Sequence, residues 1–142
     1  MYSEKNLVYL LTILEAIEKI NIYAAEFENA DDFFFANDQM NFNASQALLL
    51  AISEESRKID AALKSEHPHI GWKEITGIRN RLAHDYRGID PEIAFEIIRE
   101  YIPGLKLACV EMISLIDYDP AILKEALESS FYKHIHYLKK LL

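Results

Sequence analysis

The segment from Arg79 to Tyr86 carries the side chains best suited to chemistry, with an arginine, an asparagine and a histidine close together. A histidine titrates near neutral pH, so His84 can accept or donate a proton. The guanidinium of Arg79 is permanently charged and can bind two phosphate oxygens at once. Asn80 can hold either the imidazole or the phosphate by hydrogen bonds. These are the groups that RNA cleavage without a metal requires, because a ribose 2′-hydroxyl must lose its proton while negative charge develops on the adjacent phosphate.

The spacing of these residues constrains how they can meet. On one continuous helix, Asn80 and His84 are four residues apart and share a face. Arg79 and His84 are five residues apart, roughly 140° around such a helix. Their convergence therefore needs either a helix that ends before His84 or two copies of the segment facing each other in a dimer. We expect irregular backbone at residues 85–88. The structural alternative is that arginine and histidine near a helix end only cap carbonyls and interact with the helix dipole.

Three further charged residues are candidates for contacts with a substrate or a partner: Glu54, Arg81 and Arg87. A carboxylate such as that of Glu54 is by default a solvated residue on a helix surface. Arg81 is expected to form a solvated pair with Asp85, one helical turn further on.

A second histidine pair, His67 and His69, lies in a loop marked by Pro68 and Gly71. Both rings can reach one metal ion, but no carboxylate or cysteine completes the ligand set at a recognisable spacing. We therefore predict no metal site and no cofactor.

The elements that must position these residues are helical, because apolar residues recur at intervals of three and four along most of the chain. The sequence predicts an all-α, up-and-down bundle of about five helices in a single domain over residues 1–142, with its core at about 4–116 and a helical extension at 120–142. Three consecutive phenylalanines, 33–35, are expected in a connection, either as a clasp over the bundle or against another subunit. The predicted helices run from a Ser3 N-cap to about Phe27, from Asp38 or Asn43 to about Ser65, from about Trp72 to Ala83, from an Asp90 N-cap with a kink or break at Pro103-Gly104, and from Pro120 to near the C-terminus.

Composition and charge narrow the class of function. The net charge of −8 disfavours general coating of nucleic acid. Residues 64–87 nevertheless hold five basic and three acidic side chains, which favours a local site for an anion. The single cysteine, Cys109, cannot form an intrachain disulfide and is expected to be buried. The apolar stretch near the N-terminus is too short to cross a bilayer, so we expect a cytoplasmic protein.

The segment Arg79-Asn80-Arg81-Leu82-Ala83-His84-Asp85-Tyr86 resembles the motif R-N-x3-H-x-Y of the HepT-like toxins in the HEPN superfamily. The preceding stretch, from Gly71 to Ile78, is similar to the family's Trp-x-x-Ile-x-Gly-hydrophobic lead-in. The similarity extends over roughly Leu7 to Ile116. One departure lies at Ser53-Glu54, where the family usually has Gly-Glu.

The resemblance implies a metal-independent RNA endonuclease that acts as the toxin of a toxin–antitoxin pair. It implies a homodimer with facing motifs, in which Arg79 and His84 are catalytic and Asn80 supports them. It also implies a cognate nucleotidyltransferase antitoxin that transfers AMP onto Tyr86. A phosphate placed there would cancel the attraction of Arg79 for the substrate. For Tyr86, the alternative is a half-buried tyrosine with its hydroxyl in water.

Two other functions remain open at this point. One is a non-catalytic helical module that docks a nucleotidyltransferase and presents a nucleotide or substrate. The other is a plain dimeric scaffold. Growth arrest on expression of the chain, relieved by replacing Arg79 or His84, distinguishes the nuclease from both.

Overall fold

The computed structural model describes residues 1–85 and 88–142, and it describes the side chains of all of these except residues 83–89. Within the described residues, nine α-helices and one short antiparallel strand pair follow one another. The α-helices are α1 (Lys5–Ala24), α2 (Ala30–Phe35), α3 (Met40–Lys58), α4 (Ala61–Lys64), α5 (Trp72–Thr76), α6 (Ile78–Leu82), α7 (Pro91–Glu100), α8 (Ile102–Ile113) and α9 (Pro120–Glu128); the strands are β1 (Ala83–Asp85) and β2 (Gly88–Ile89). The predicted all-α fold class is confirmed.

The first helix lies at the centre of the core. Leu10, Leu14 and Ile17 are fully buried, in agreement with the apolar repeat of the sequence. α1 packs chiefly against α3 and also against α8. The predicted N-cap is wrong by one residue, because Glu4 occupies the cap position and the Ser3 hydroxyl only accepts a hydrogen bond from the Lys5 N–H at 3.4 Å. None of the helices in the described parts of the chain has the length and apolar character needed to cross a membrane.

The three phenylalanines belong to a short helix, not to an irregular connection. α2 begins after Asn29, whose side chain accepts a hydrogen bond from the Asp32 N–H at 2.9 Å. Phe33 is fully buried and packs against the rings of three other phenylalanines, whereas Phe35 is 66% exposed. Three consecutive left-handed residues, at positions 37–39, then lead into α3.

The predicted second helix is divided at Ile59 and Asp60. The cause is a contact with the first helix: the Asn6 side chain accepts from the Asp60 N–H and donates to the Asp60 carboxylate, each at 3.0 Å. Lys5 pairs with the same carboxylate at 3.1 Å. Together these contacts hold the pKa of Asp60 below its ordinary value, the Asn6 hydrogen bond being the larger cause.

In the second half of the chain, two helices begin where an aspartate followed by a proline predicts a helix start. Asp90 and Asp119 each accept a hydrogen bond at 2.9 Å from the N–H two residues further on, and each precedes a proline at the first helical position. The predicted break near Pro103 is also confirmed, because α7 ends at Glu100 and α8 begins at Ile102. The last helix, however, ends at Glu128, and two 3-10 turns, Ser130–Tyr132 and His136–Leu141, replace its predicted continuation.

The segment after α9 packs back onto α1. His134 donates its backbone N–H to the Glu15 carboxylate at 2.9 Å, and its ring Nδ1 lies 2.5 Å from the same group. Glu15 is only 2% exposed. Further along, the Tyr137 hydroxyl donates to Glu18 at 2.7 Å. The C-terminal segment therefore supplies hydrogen-bond partners to carboxylates of the central helix.

Candidate active site

The predicted catalytic segment begins on α6, a helix of little more than one turn. Its two apolar residues, Ile78 and Leu82, are four apart and fully buried. Arg79 and Asn80 lie between them and are exposed. Because the buried pair fixes which side of α6 faces the core, the predicted phosphate-binding arginine and its neighbouring amide face solvent, where a substrate can reach them.

The helix before the motif is fixed by the indole of Trp72. Its Nε1–H lies 3.0 Å from the Lys64 carbonyl and 3.1 Å from the His67 carbonyl, so one donor is shared between two acceptors. These carbonyls belong to the end of α4 and the loop that follows. The indole therefore ties the start of α5 to the segment that precedes it.

Two side chains of α3 hold the other end of α5. The Ser53 hydroxyl donates to the Thr76 carbonyl at 2.9 Å, and the Arg57 Nε–H donates to the same oxygen at 3.0 Å. Neither residue is predicted from the sequence to hold the site. A signal was present for Ser53, because it lies one turn after Leu49 on the buried side of α3, where a polar residue needs a partner. Glu54, predicted as a possible substrate contact, is exposed and lies 3.9 Å from Arg57.

Arg81 is directed away from the exposed side of α6. Its Nη2 lies 3.6 Å from Glu96 of α7, and its guanidinium carbon lies 5.4 Å from the centre of the Tyr101 ring. The side chain is 29% exposed, and its contact with Glu96 joins α6 to α7. The predicted Arg81–Asp85 pair involves a side chain that is outside the described residues.

The helix ends before the histidine. α6 stops at Leu82, and His84 lies in β1, whose pairing with β2 aligns Ala83 with Ile89. The prediction that Asn80 and His84 share a helix face is therefore wrong, and Ala83 is not helical. Of the two ways predicted for Arg79 and His84 to meet, this end satisfies the first: a helix that stops before His84.

The remaining predictions for this segment fall outside the described residues. They concern the side chain of His84, the whole of Tyr86 and Arg87, and the irregular backbone expected at those last two positions. In the described strands, the pairing of β1 with β2 changes register between Ala83 and Asp85. The meeting of Arg79 with His84 stays a prediction.

A groove of about 360 Å³ lies near the motif and shares Tyr101 with the Arg81 contact. Its lining includes two carboxylates, Glu74 and Glu100, together with His69. Negative charge at its rim repels a phosphate, so this groove does not suit the RNA backbone. The exposed side of α6 is the better place for a substrate phosphate.

The histidine pair has a structural explanation. His67 is 6% exposed, and its Nε2 lies 2.7 Å from the Glu111 carboxylate, which ties the loop to α8. His69 is exposed, with its ring centre 5.8 Å from that of His67. In the described part of the chain, no group of three or more histidine, cysteine or acidic side chains is arranged to hold a metal ion.

Comparison with known proteins identifies the family. The model of the ribonuclease HepT-like family matches residues 13–112, which include α6 and the whole predicted motif. The chain belongs to the ribonuclease HepT-like family. This ribonuclease family match ends before α9, so the C-terminal segment lies beyond it.

Individual relatives agree with this membership. A probable ribonuclease HepT of Thermococcus cleftensis is 36% identical over 98 residues, covering 69% of this chain and 86% of the relative. A putative RNase of Methanocaldococcus jannaschii is 32% identical over 98 residues, covering 69% of this chain and 87% of the relative. No solved structure matches the chain.

Proposed function

We propose that this chain is a metal-independent RNA endonuclease in which Arg79 and His84 cleave the substrate and Asn80 supports them. The observation that carries the proposal is the arrangement of α6, which buries Ile78 and Leu82, leaves Arg79 and Asn80 exposed, and follows directly after α5, a helix anchored at both ends. Membership of a ribonuclease family supports the substrate class.

The chemistry follows from the residue types. His84 removes the proton of a ribose 2′-hydroxyl, whose oxygen forms a bond to the adjacent phosphorus. The bond from phosphorus to the 5′-oxygen of the next nucleotide breaks, and that oxygen takes up a proton, which leaves a 2′,3′-cyclic phosphate. Arg79 stabilises the charge that develops on the phosphoryl oxygens, an interaction strongest in the transition state. Asn80 donates a hydrogen bond to the phosphate or holds the imidazole.

We propose further that the enzyme is the cytoplasmic toxin of a toxin–antitoxin pair and acts as a homodimer with the two motifs facing each other. A nucleotidyltransferase antitoxin transfers AMP onto Tyr86. The added phosphate places negative charge two residues after His84, where it competes with substrate phosphate for Arg79. We also propose that residues 1–142 act as one domain, a proposal supported by the contacts of the C-terminal segment with α1.

The deciding experiment measures cleavage of a labelled RNA by the purified chain in the presence of excess EDTA. We expect cleavage by the unaltered chain, and a loss of at least about a hundredfold for Arg79→Ala and for His84→Ala. Lys124→Ala is the matched control, because Lys124 is also an exposed cation on a helix but lies beyond the family match. Full activity of both motif variants would contradict the assignment, and binding of a nucleotidyltransferase without cleavage would favour the docking module.

Modification of Tyr86 needs a separate test. Incubation with the partner nucleotidyltransferase and ATP should increase the mass of the peptide containing Tyr86 by one or more adenylyl groups and abolish cleavage. Tyr86→Phe should retain cleavage in the presence of the partner. An unmodified peptide from fully inhibited enzyme would contradict this part of the proposal and favour inhibition by binding alone.

A further inference from the structure

The Thr76 carbonyl accepts two hydrogen bonds from a neighbouring helix. The Ser53 hydroxyl and the Arg57 Nε–H, both on α3, lie 2.9 Å and 3.0 Å from this oxygen. A carbonyl in the last turn of an α-helix has no donor within its own helix, so it needs a partner from elsewhere. Here that partner comes from α3, and it fixes the position of the last residue of α5.

Gly77, the residue after Thr76, connects α5 to α6. The Gly77 N–H donates back to the Lys73 carbonyl at 3.0 Å, and the Gly77 carbonyl accepts from the Arg81 N–H at 3.1 Å. A Cβ at position 77 would lie 3.0 Å from the Lys73 carbonyl, which leaves little room for a side chain. The direction of α6 therefore depends on the peptide group that joins Thr76 to Gly77.

The two donors differ in environment. Ser53 is 2% exposed, so its hydroxyl is fully committed to this contact. The Arg57 side chain is 47% exposed, and its guanidinium extends over the same carbonyl from the solvent side.

We propose that Ser53 and Arg57 are positioning residues: by holding the Thr76 carbonyl they fix the direction of α6 and so place Arg79 against the substrate phosphate. This inference rests on the proposed function of Arg79. Neither residue needs to touch the reacting atoms. They act on the position of Arg79 through the three consecutive residues before it, Thr76, Gly77 and Ile78, the last of which is buried.

The test compares Ser53→Ala, Arg57→Ala and the double variant with the unaltered chain in RNA cleavage kinetics and in hydrogen exchange of the α6 amides. We expect kcat to fall about tenfold in each single variant and about a hundredfold in the double variant, with KM nearly unchanged, as for a small misplacement of a catalytic group. Exchange should accelerate at the Arg81 and Leu82 amides. Ser53→Thr, which keeps the hydroxyl, should restore most of kcat.

Lys58→Ala is the control, because it removes the same charge as Arg57→Ala at the next position of α3, where the side chain is bound to Glu55 instead. It should leave kcat and α6 exchange unchanged. A raised KM with normal kcat in Arg57→Ala would overturn the proposal in favour of direct RNA contact. Unchanged α6 exchange would overturn it whatever the kinetics. If the unaltered chain cleaves no RNA, the nuclease proposal fails and the catalytic consequence of positioning fails with it, while altered exchange would identify only a structural anchor.

Discussion

Substitutions at two neighbouring residues of α6 should have opposite effects: one should lower stability and the other should lower activity. Ile78 is fully buried, whereas Arg79, the next residue, is exposed. Replacing Ile78 with alanine removes three buried carbon atoms and leaves a cavity, which costs about 3 kcal/mol in a well-packed core. For a chain of 142 residues, this corresponds to a decrease in the unfolding midpoint of roughly 6–12 °C. Arg79→Ala removes only solvated atoms and should change stability by less than about 0.5 kcal/mol.

The assay is thermal and urea unfolding followed by far-UV circular dichroism, with every variant at the same protein concentration because a dimer is stabilised by mass action. Ile78→Val is the graded control and should lose about 1 kcal/mol. RNA cleavage measured well below the midpoints should show the opposite ranking, with Arg79→Ala far less active than Ile78→Val. If Ile78→Ala unfolds like the unaltered chain, or Arg79→Ala is the less stable of the two, the orientation of α6 described above is wrong.

Three further predictions concern the elements around the site. Trp72→Phe should lose about 2 kcal/mol, because the shared indole donor to two backbone carbonyls is removed. Burial, and secondarily the hydrogen bond to Glu18, raise the pKa of Tyr137 above its ordinary value of 10.0. Its neutral form therefore stabilises the fold below pH 10, and this contribution is lost as the pH rises further. The stability of Tyr137→Phe should depend less on pH above pH 10. Burial also raises the pKa of the Cys109 thiol, so alkylation at pH 8 should proceed only as fast as the protein unfolds.

Each of these predictions has an outcome that would contradict it. Trp72→Phe would contradict the proposed hydrogen bonds if its unfolding free energy matched that of the unaltered chain. Tyr118→Phe also removes a tyrosine hydroxyl, and an equal change in alkaline stability for that variant would show that the effect is not specific to Tyr137. Rapid, stoichiometric alkylation of the folded protein would show that Cys109 is accessible.

Local signals in the sequence predicted the helix starts well. Asp90 and Asp119 act within two residues of their own position, and the proline near residue 103 acts on the turn that contains it. Such effects depend on residues that are neighbours along the chain, so both partners can be recognised from the sequence. The buried face of the first helix was predictable for the same reason.

Two of the failures involve partners far apart in sequence. The break at Asp60 depends on Asn6, 54 residues away, and the end of α9 at Glu128 is followed by a turn whose His134 binds Glu15. In the site, the exposure of Arg79 agrees with the local spacing of Ile78 and Leu82, which are four residues apart and buried. The anchoring of the Thr76 carbonyl by a serine 23 residues earlier was not predictable in this way, because nothing local marks that carbonyl as an acceptor.

The C-terminal segment has a practical consequence for defining the minimal folded unit. A chain shortened to the family boundary would keep every residue of the motif but would lose the His134 backbone N–H and ring that bind Glu15, leaving the contact with Lys19 of its own helix at 3.7 Å. The buried side chains of Ile135 and Leu138 would be removed with it, so apolar surface of the core would become exposed to water. We therefore expect a chain that ends at the family boundary to be less stable than the full chain.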